Sequence, residues 1–197
     1  MNMNRKIHNQ RCPNCKQQVR NLLVALFGVV EVNWDLDIPC RLEDYINTSL
    51  YDIMGPIHEA LKKHRGFDSF VKSKKLSRAD FFIPERRIIV EFDESQHFTK
   101  PRDITLSLYP SGQNFGFSVE RWRTICQELD EHDNNPPYRD EQRAWYDTVK
   151  DFAPILWETG QTIRLYARDL IWCSLNVDNE SDLRTFNQVL LGKIVGQ

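Results

Sequence analysis

The stretch ADFFIPERRIIVEFD, residues 79–93, has two short apolar runs on either side of a polar turn, Pro84-Glu85-Arg86-Arg87. Runs of aromatic and β-branched residues that are separated by a short turn are typical of a β-hairpin. If the hairpin is centred between Glu85 and Arg86, Ile83 faces Ile88. The stretch therefore predicts two antiparallel strands at the centre of the fold.

The same register brings three carboxylates together. Asp80 faces Glu91 across the hairpin, and strand alternation places Asp93 on the same face as Glu91. Val90 and Phe92 then point to the opposite face, into the core. Like charges this close are destabilising, and one carboxylate would have to take up a proton.

A divalent cation would remove this conflict. Asp and Glu ligands with water in the remaining positions suit Mg²⁺ or Mn²⁺. In the alternative interpretation, the acids face solvent or pair with Arg78, Arg86 or Arg87. The argument depends on the register, because a slip of one residue would turn one acid to the other face.

The longer stretch ADFFIPERRIIVEFDESQHF resembles the catalytic hairpin of the PD-(D/E)XK nuclease superfamily. It is most similar to the branch of very-short-patch-repair endonucleases and small DUF559-type proteins. The resemblance implies that Asp80, Glu91 and Asp93 bind Mg²⁺, and that Gln96 and His97 match the Gln-His pair of that branch. It also implies a restriction-endonuclease-like mixed α/β sheet flanked by helices, which hydrolyses DNA in restriction, repair or defence against mobile elements.

Two departures from that pattern leave open an inactive, nucleic-acid-binding module. Asp93 stands where the superfamily usually has Lys, and Glu94 replaces the Gly of the similar branch. Lys100 and Arg102 are candidates for the missing positive charge, or are ordinary loop residues. Glu59 matches the acid on the helix before the hairpin, although it lies opposite Ile57 on a helical wheel and favours a solvated position.

The Gln-His pair allows two interpretations for each residue. His97 has an ordinary pKa that suits proton relay near neutrality, or it is a packed hydrogen-bonding residue. Gln96 orients water or a phosphate oxygen, or it caps the end of the strand.

Hydrophobic spacing predicts the remaining elements and a division of the chain. We expect helices over 16–27, 42–64, 119–129, 141–156 and 181–191, a strand followed by a loop within 29–40, strands over 67–71 and 162–167, and a long loop over 99–119. The expected domains are a small N-terminal segment with a CxxC motif, residues 1–41, and a nuclease-like core, residues 42–197.

The cysteines allow three interpretations. Cys12-x-x-Cys15 has the spacing of a zinc knuckle, with Cys40 as a third ligand and His8 as a fourth. The alternatives are a redox pair and reduced structural thiols; Cys126 and Cys173 lie in apolar patterns that predict core positions.

Charge indicates DNA as the partner. Net charge is −2, but residues 1–30 carry five Lys or Arg and no acid, and residues 62–78 carry seven Lys or Arg and one acid, Asp68. Such clusters neutralise phosphates or form a solvated face. Trp122 and Trp145 lie near Arg residues, where they would stack on bases or pack in the core.

The sequence has no apolar run long enough for a membrane span, and its N-terminus lacks the features of a secretory signal, so we expect a cytoplasmic protein that does not bind membranes. A homodimer or an additional partner protein is compatible with the sequence.

Overall fold

A computed structural model of the chain describes residues 12–157 and 159–194. The helices are α1 (Pro13–Phe27), α2 (Tyr51–Arg65), α3 (Lys100–Ser107), α4 (Val119–Leu129), α5 (Arg139–Trp157) and α6 (Glu180–Ile194). The strands are β1 (Glu31–Trp34), β2 (Ala79–Ile83), β3 (Ile88–Asp93) and β4 (Thr162–Tyr166).

The four strands form one mixed sheet in the order β1-β2-β3-β4. β1, β2 and β3 are antiparallel neighbours, whereas β4 pairs with β3 in parallel. A parallel pair needs a long crossover connection, and α3, α4 and α5 provide it. The expectation of a mixed α/β fold with a helix-flanked sheet is confirmed.

Helices cover both faces of the sheet because both faces are apolar. Phe81, Val90 and Phe92 pack with α1 and α6 on one face. Ile89 packs on the opposite face, whose core includes buried residues of α2, α4 and α5. A strand that is buried on both faces reads as a continuous apolar run, and every residue of β3 after Ile88 is buried.

Several predicted elements are confirmed, among them α1, β1, α4, β4 and the C-terminal helix. Two predictions were wrong. Residues 67–71 form no strand, and the expected loop over 99–119 contains α3. Pro101 is compatible with α3 because it lies in the first turn, where a missing N–H costs little, and Thr99 accepts a hydrogen bond from the Arg102 N–H at 3.3 Å.

The predicted helix over 42–64 is shorter than expected. Residues 42–45 form a separate 3-10 turn, and α2 begins at Tyr51 and ends at the left-handed Gly66. Pro56 lies inside α2 without dividing it into two helices.

The described part of the N-terminal segment shares the sheet and core with the rest of the chain. β1 pairs with β2, and Val19, Leu22 and Leu23 of α1 are buried against the sheet. The boundary that we expected at residue 41 thus separates two neighbouring strands of one sheet.

None of the described helices has the length and apolar character that crossing a membrane requires.

Candidate functional site

The hairpin has the predicted register. Ile83 pairs with Ile88, and Phe81 pairs with Val90, so that the next positions along the ladder, on the opposite face from Phe81 and Val90, are Asp80 and Glu91. A tight turn over residues 84–86 joins the strands, and Arg87 adopts the left-handed conformation at its end. Regular alternation then places the acids on the sheet face that α5 covers.

Asp80 and Glu91 contact each other through the hairpin backbone, and we call them the hairpin pair. The Asp80 N–H donates to Glu91 Oε1 at 3.2 Å, and the Phe92 N–H donates to Asp80 Oδ2 at 3.0 Å. The Asp80 side chain is 20% exposed and that of Glu91 only 3%. The hairpin pair therefore spans from the core to the surface.

Two lysines balance the charge of the hairpin pair. Lys150 of α5 donates to Glu91 Oε2 at 2.8 Å and to the Arg78 carbonyl at 3.1 Å. Lys16 of α1 forms an ion pair with Asp80. Because the two lysines come from opposite sides of the sheet, the hairpin pair joins both helical layers.

Burial raises the pKa of the Glu91 carboxyl to about 7. The positive charge of Lys150 opposes this rise, and the negative charge of Asp80 adds to it. Burial lowers the pKa of Lys150, but the combined attraction to Glu91, Asp147 and Asp80 outweighs it, so that the net shift is upward.

Asp93 belongs to a different arrangement from the one expected. Arg164 of β4 donates to both of its carboxylate oxygens, at 2.8 and 3.1 Å, and the Trp122 indole N–H donates to Oδ2 at 2.7 Å. Asp93 and Arg164 are both buried. This guanidinium pairing replaces the shared acidic site that the sequence predicted for Asp93.

Arg164 is the centre of a buried ionic network, which we call the Arg164 network. Its members are Arg164, Asp93, Asp147, Asp151 and Arg102. Arg164 Nε donates to Asp151 at 2.7 Å and its Nη2 to Asp147 at 3.3 Å, while Arg102 donates to Asp151 at 2.6 Å. Arg102 is thus committed to the core rather than to a substrate, and Lys100 pairs with Asp103 at 3.0 Å.

His97 lies at the edge of the Arg164 network. Its Nδ1 is 3.0 Å from Asp147 Oδ2 and 3.7 Å from Asp93 Oδ1. Burial lowers the pKa of His97, whereas attraction to Asp147 and, less strongly, to Asp93 raises it. The combined attraction is larger than the effect of burial, so the net shift of the pKa is upward. The pKa of Asp147 lies well below its usual range, because Arg164 and His97 outweigh the effect of burial.

The other residues predicted for the site lie apart from its charges. The Gln96 side chain donates to Glu94 at 2.9 Å, and the Gln96 carbonyl accepts from Arg143 at 2.8 Å. Glu59 is half exposed and pairs with Lys62 at 3.5 Å, as the solvated alternative predicts. Trp122 and Trp145 are buried, so their core interpretation is confirmed.

Sequence reasoning missed the two buried cations of the site, Lys150 and Arg164, and the two α5 acids that pair with Arg164. Asp147, Lys150 and Asp151 are spaced by three and four residues, which places them on one face of α5. Arg164 is a lone charge in the apolar strand TIRLY, an unusual position that signals a buried partner. Neither signal identifies which acid is contacted.

A cavity of about 220 Å³ adjoins Lys150. Every residue that lines it carries a polar group, and three of them are the cations Arg139, Arg143 and Lys150. The other lining residues are Ser77, His97, Gln142, Tyr146 and Asp147. Lys150 is therefore shared between this cavity and the hairpin pair.

Cys12 and Cys15 lie together, and the third cysteine beside them is Cys173 rather than the expected Cys40. The Sγ atoms of Cys12, Cys15 and Cys173 lie within 4.8 Å of one another. Cys40 is buried on the opposite face of the sheet, where its thiol donates to the Ser73 carbonyl at 3.2 Å. His8 lies outside the described residues.

The three sulfur atoms of this cysteine cluster lie close enough together to hold one metal ion, and the cluster is compatible with structural Zn²⁺. Within residues 12–157 and 159–194, no other group of three His, Cys, Asp or Glu residues brings its ligand atoms equally close. Asp80, Glu91 and Asp93 thus do not form a three-carboxylate cluster.

Comparison with known proteins adds no assignment: no family model matches the chain, and neither the curated proteins nor the solved structures contain a significant match.

Proposed function

We propose that this protein is a metal-dependent endonuclease that hydrolyses phosphodiester bonds in DNA. The observation that supports it most directly is the hairpin pair, Asp80 opposite Glu91, with the Lys150 ammonium 2.8 Å from Glu91. The proposal retains the resemblance to the PD-(D/E)XK nucleases but changes which residues perform the chemistry.

The hairpin pair offers the oxygen ligands that Mg²⁺ or Mn²⁺ prefers, and the ion would displace Lys16 from Asp80 and Lys150 from Glu91. Both ions prefer carboxylate oxygens and retain several waters, so two protein carboxylates are enough. Asp93 does not fit, because Arg164 and Trp122 occupy its oxygens. When bound, the ion would polarise the phosphate and lower the pKa of a coordinated water.

Lys150 takes the place of the lysine that the sequence pattern lacks at Asp93. It comes from α5 rather than from β3, and it contacts the same carboxylate that a lysine on the strand would flank. A buried ammonium stabilises the negative charge that develops on a phosphate oxygen during hydrolysis.

The cavity beside Lys150 is the proposed position of the DNA phosphate. Arg139, Arg143 and Lys150 line it, so an anion bound there would lie among three cations. His97 lines the same cavity and shares its proton with Asp147, so it is placed to exchange a proton with a group bound there.

A second candidate function is DNA binding without cleavage. The observation that favours it is the neutralisation of both acids, Asp80 by Lys16 and Glu91 by Lys150. In this case the ammonium groups substitute permanently for the metal ion.

The test is incubation with supercoiled plasmid and with circular single-stranded DNA, in Mg²⁺ or Mn²⁺. We expect nicking or linearisation that stops on addition of a chelator. Glu91→Gln and Lys150→Met should each reduce the rate at least about a hundredfold, as is typical when a charge-stabilising group is removed. Glu94→Gln is the matched control, because Glu94 is close in sequence but, within the described residues, its side chain bonds only to Gln96.

The two candidates give different results. DNA binding that is equal with and without chelator, together with no cleavage of either substrate, would favour the binding module. Cleavage that persists in both Asp80→Asn and Glu91→Gln would exclude the hairpin pair as the metal site.

A further inference from the structure

The geometry points to a separate metal site on the other side of the sheet: we propose that Cys12, Cys15 and Cys173 bind Zn²⁺ and fasten α1 to the C-terminal part of the chain. This site goes beyond the proposed nuclease function and does not depend on it.

The three sulfur atoms come from two distant parts of the sequence. Cys12 is the residue that caps the N-terminus of α1, Cys15 lies in its first turn, and Cys173 lies in the 3-10 turn Trp172–Ser174. The Cys15 N–H donates to the Cys12 carbonyl at 3.0 Å, which joins Cys12 to the first turn of α1. Convergence of three thiols from such separate segments is the pattern of a zinc site.

The spacing of the sulfur atoms suits a tetrahedral ion. Zn–S bonds of about 2.3 Å place two sulfur ligands about 3.8 Å apart. All three Sγ atoms already lie within 4.8 Å of one another, so an ion would need shifts of about 1 Å or less. A disulfide would use only two of the three sulfurs, whereas a metal ion accounts for all three.

The cysteine cluster lies at a packed interface between α1 and the C-terminal part of the chain. Cys15 is buried beside Trp172 and Phe186, and the Gln18 side chain donates to the Leu175 carbonyl at 2.7 Å. The ion would therefore be added to an interface that packing and a hydrogen bond already define. The three thiolates would occupy three of the four tetrahedral positions of the ion.

Binding is a proton-for-metal exchange without any redox step. Each coordinating thiol loses its proton to solvent, and three thiolates with Zn²⁺ carry a net charge of −1. The site should therefore bind more tightly as pH rises.

The experiment measures metal content and cysteine reactivity in the full-length protein, purified with reductant from zinc-supplemented cells. We expect a single zinc ion per chain in the wild type and in Cys40→Ser, and loss of that ion in Cys173→Ser. Cys40→Ser is the matched control, since Cys40 is a buried thiol on the opposite face of the sheet.

A second measurement on the wild type alone avoids any folding defect of the variants. Zinc should protect Cys12, Cys15 and Cys173 from alkylation, as read by mass spectrometry of peptides, and a chelator should remove the protection. Absence of zinc from the wild type, equal zinc in Cys173→Ser, or an unchanged alkylation pattern with chelator would each overturn the proposal. None of these readouts involves DNA cleavage, so failure here is distinguishable from failure of the nuclease proposal.

Discussion

At the scale of single residues, the main finding is that each carboxylate of the hairpin has its own cation. Asp80 pairs with Lys16, Glu91 with Lys150 and Asp93 with Arg164. The pairs differ in exposure, however: Asp93 and Arg164 are buried, whereas Asp80 and Lys16 are partly exposed. A metal ion can compete with the partly exposed Lys16 ammonium far more readily than with the buried Arg164 guanidinium, because the latter is fixed by several hydrogen bonds.

Arg164→Met should destabilise the fold by about 3–5 kcal/mol, because it leaves buried carboxylates without a counter-charge. The measurement is the free energy of unfolding in urea. Arg184→Met is the control, since Arg184 makes an exposed pair with Glu180 and its loss should cost less than about 1 kcal/mol. Equal effects of the two substitutions would show that the Arg164 network does not stabilise the fold.

His97 should make stability depend on pH. Burial and the positive charge of Arg143 lower the pKa of His97 in the folded protein. The negative charges of Asp147 and Asp93 raise it by more, so the folded pKa lies above the unfolded one. The stabilisation is therefore complete below the unfolded pKa of about 6.5 and is lost as pH rises through the higher folded pKa.

The measurement is the difference in unfolding free energy between the wild type and His97→Gln, from about pH 5.5 to 9. Taking this difference removes the contribution of the other histidines. We expect the advantage of the wild type to decrease as pH rises, and an advantage that grows with pH would contradict this assignment.

At the scale of elements, α1 is the helix that connects the two proposed sites. Its first turn carries Cys15, and the next residue, Lys16, contacts Asp80 on β2. Its apolar side covers the sheet face formed by Phe81, Val90 and neighbouring residues. The position of α1 thus determines both the cysteine cluster and the charge next to the hairpin pair.

Leu22→Ala should lower global stability by about 2–5 kcal/mol, because Leu22 is completely buried between α1 and the sheet. Val24→Ala on the same helix is the matched control, since Val24 is 38% exposed and should change stability by less than about 0.5 kcal/mol. Chemical denaturation followed by tryptophan fluorescence measures both. If Leu22→Ala left global unfolding unchanged, α1 would be an independent appendage.

At the scale of the whole molecule, charge is distributed unevenly around a nearly neutral total. The net charge is −2, while the stretch 62–78 is strongly basic and leads directly into β2. Lys72, Lys74, Lys75 and Arg78 are exposed within it. This segment adjoins the proposed site, because the Arg78 carbonyl accepts a hydrogen bond from Lys150.

Arg78→Gln should weaken DNA binding to a similar degree for all sequences and reduce the slope of log K against log salt by about one. Fluorescence anisotropy with a labelled duplex, in chelator to prevent cleavage, measures this change. Arg184→Gln on α6, at the opposite face of the sheet, should leave the slope unchanged. An unaltered slope in Arg78→Gln would place the DNA elsewhere.

The sequence by itself determined the hairpin, its register and the sharing of one face by three acids. These features are local: alternation along a strand and the turn at Pro84–Arg86 suffice to predict them. The Cys12-x-x-Cys15 pair is local for the same reason, because helix geometry brings both residues to one helix end.

Only the tertiary structure decided which cation each acid receives and which cysteine joins the pair. Lys150 and Arg164 are separated from the hairpin by more than fifty residues, and Cys173 by about 160 residues from Cys12. Their positions follow from the crossover that places β4 beside β3 and from the packing of α5 and α1 on opposite faces. Local periodicity predicts which face of a strand or helix a side chain occupies. The partner of a buried charge comes from a distant element, so it is fixed only when the helices pack on the sheet.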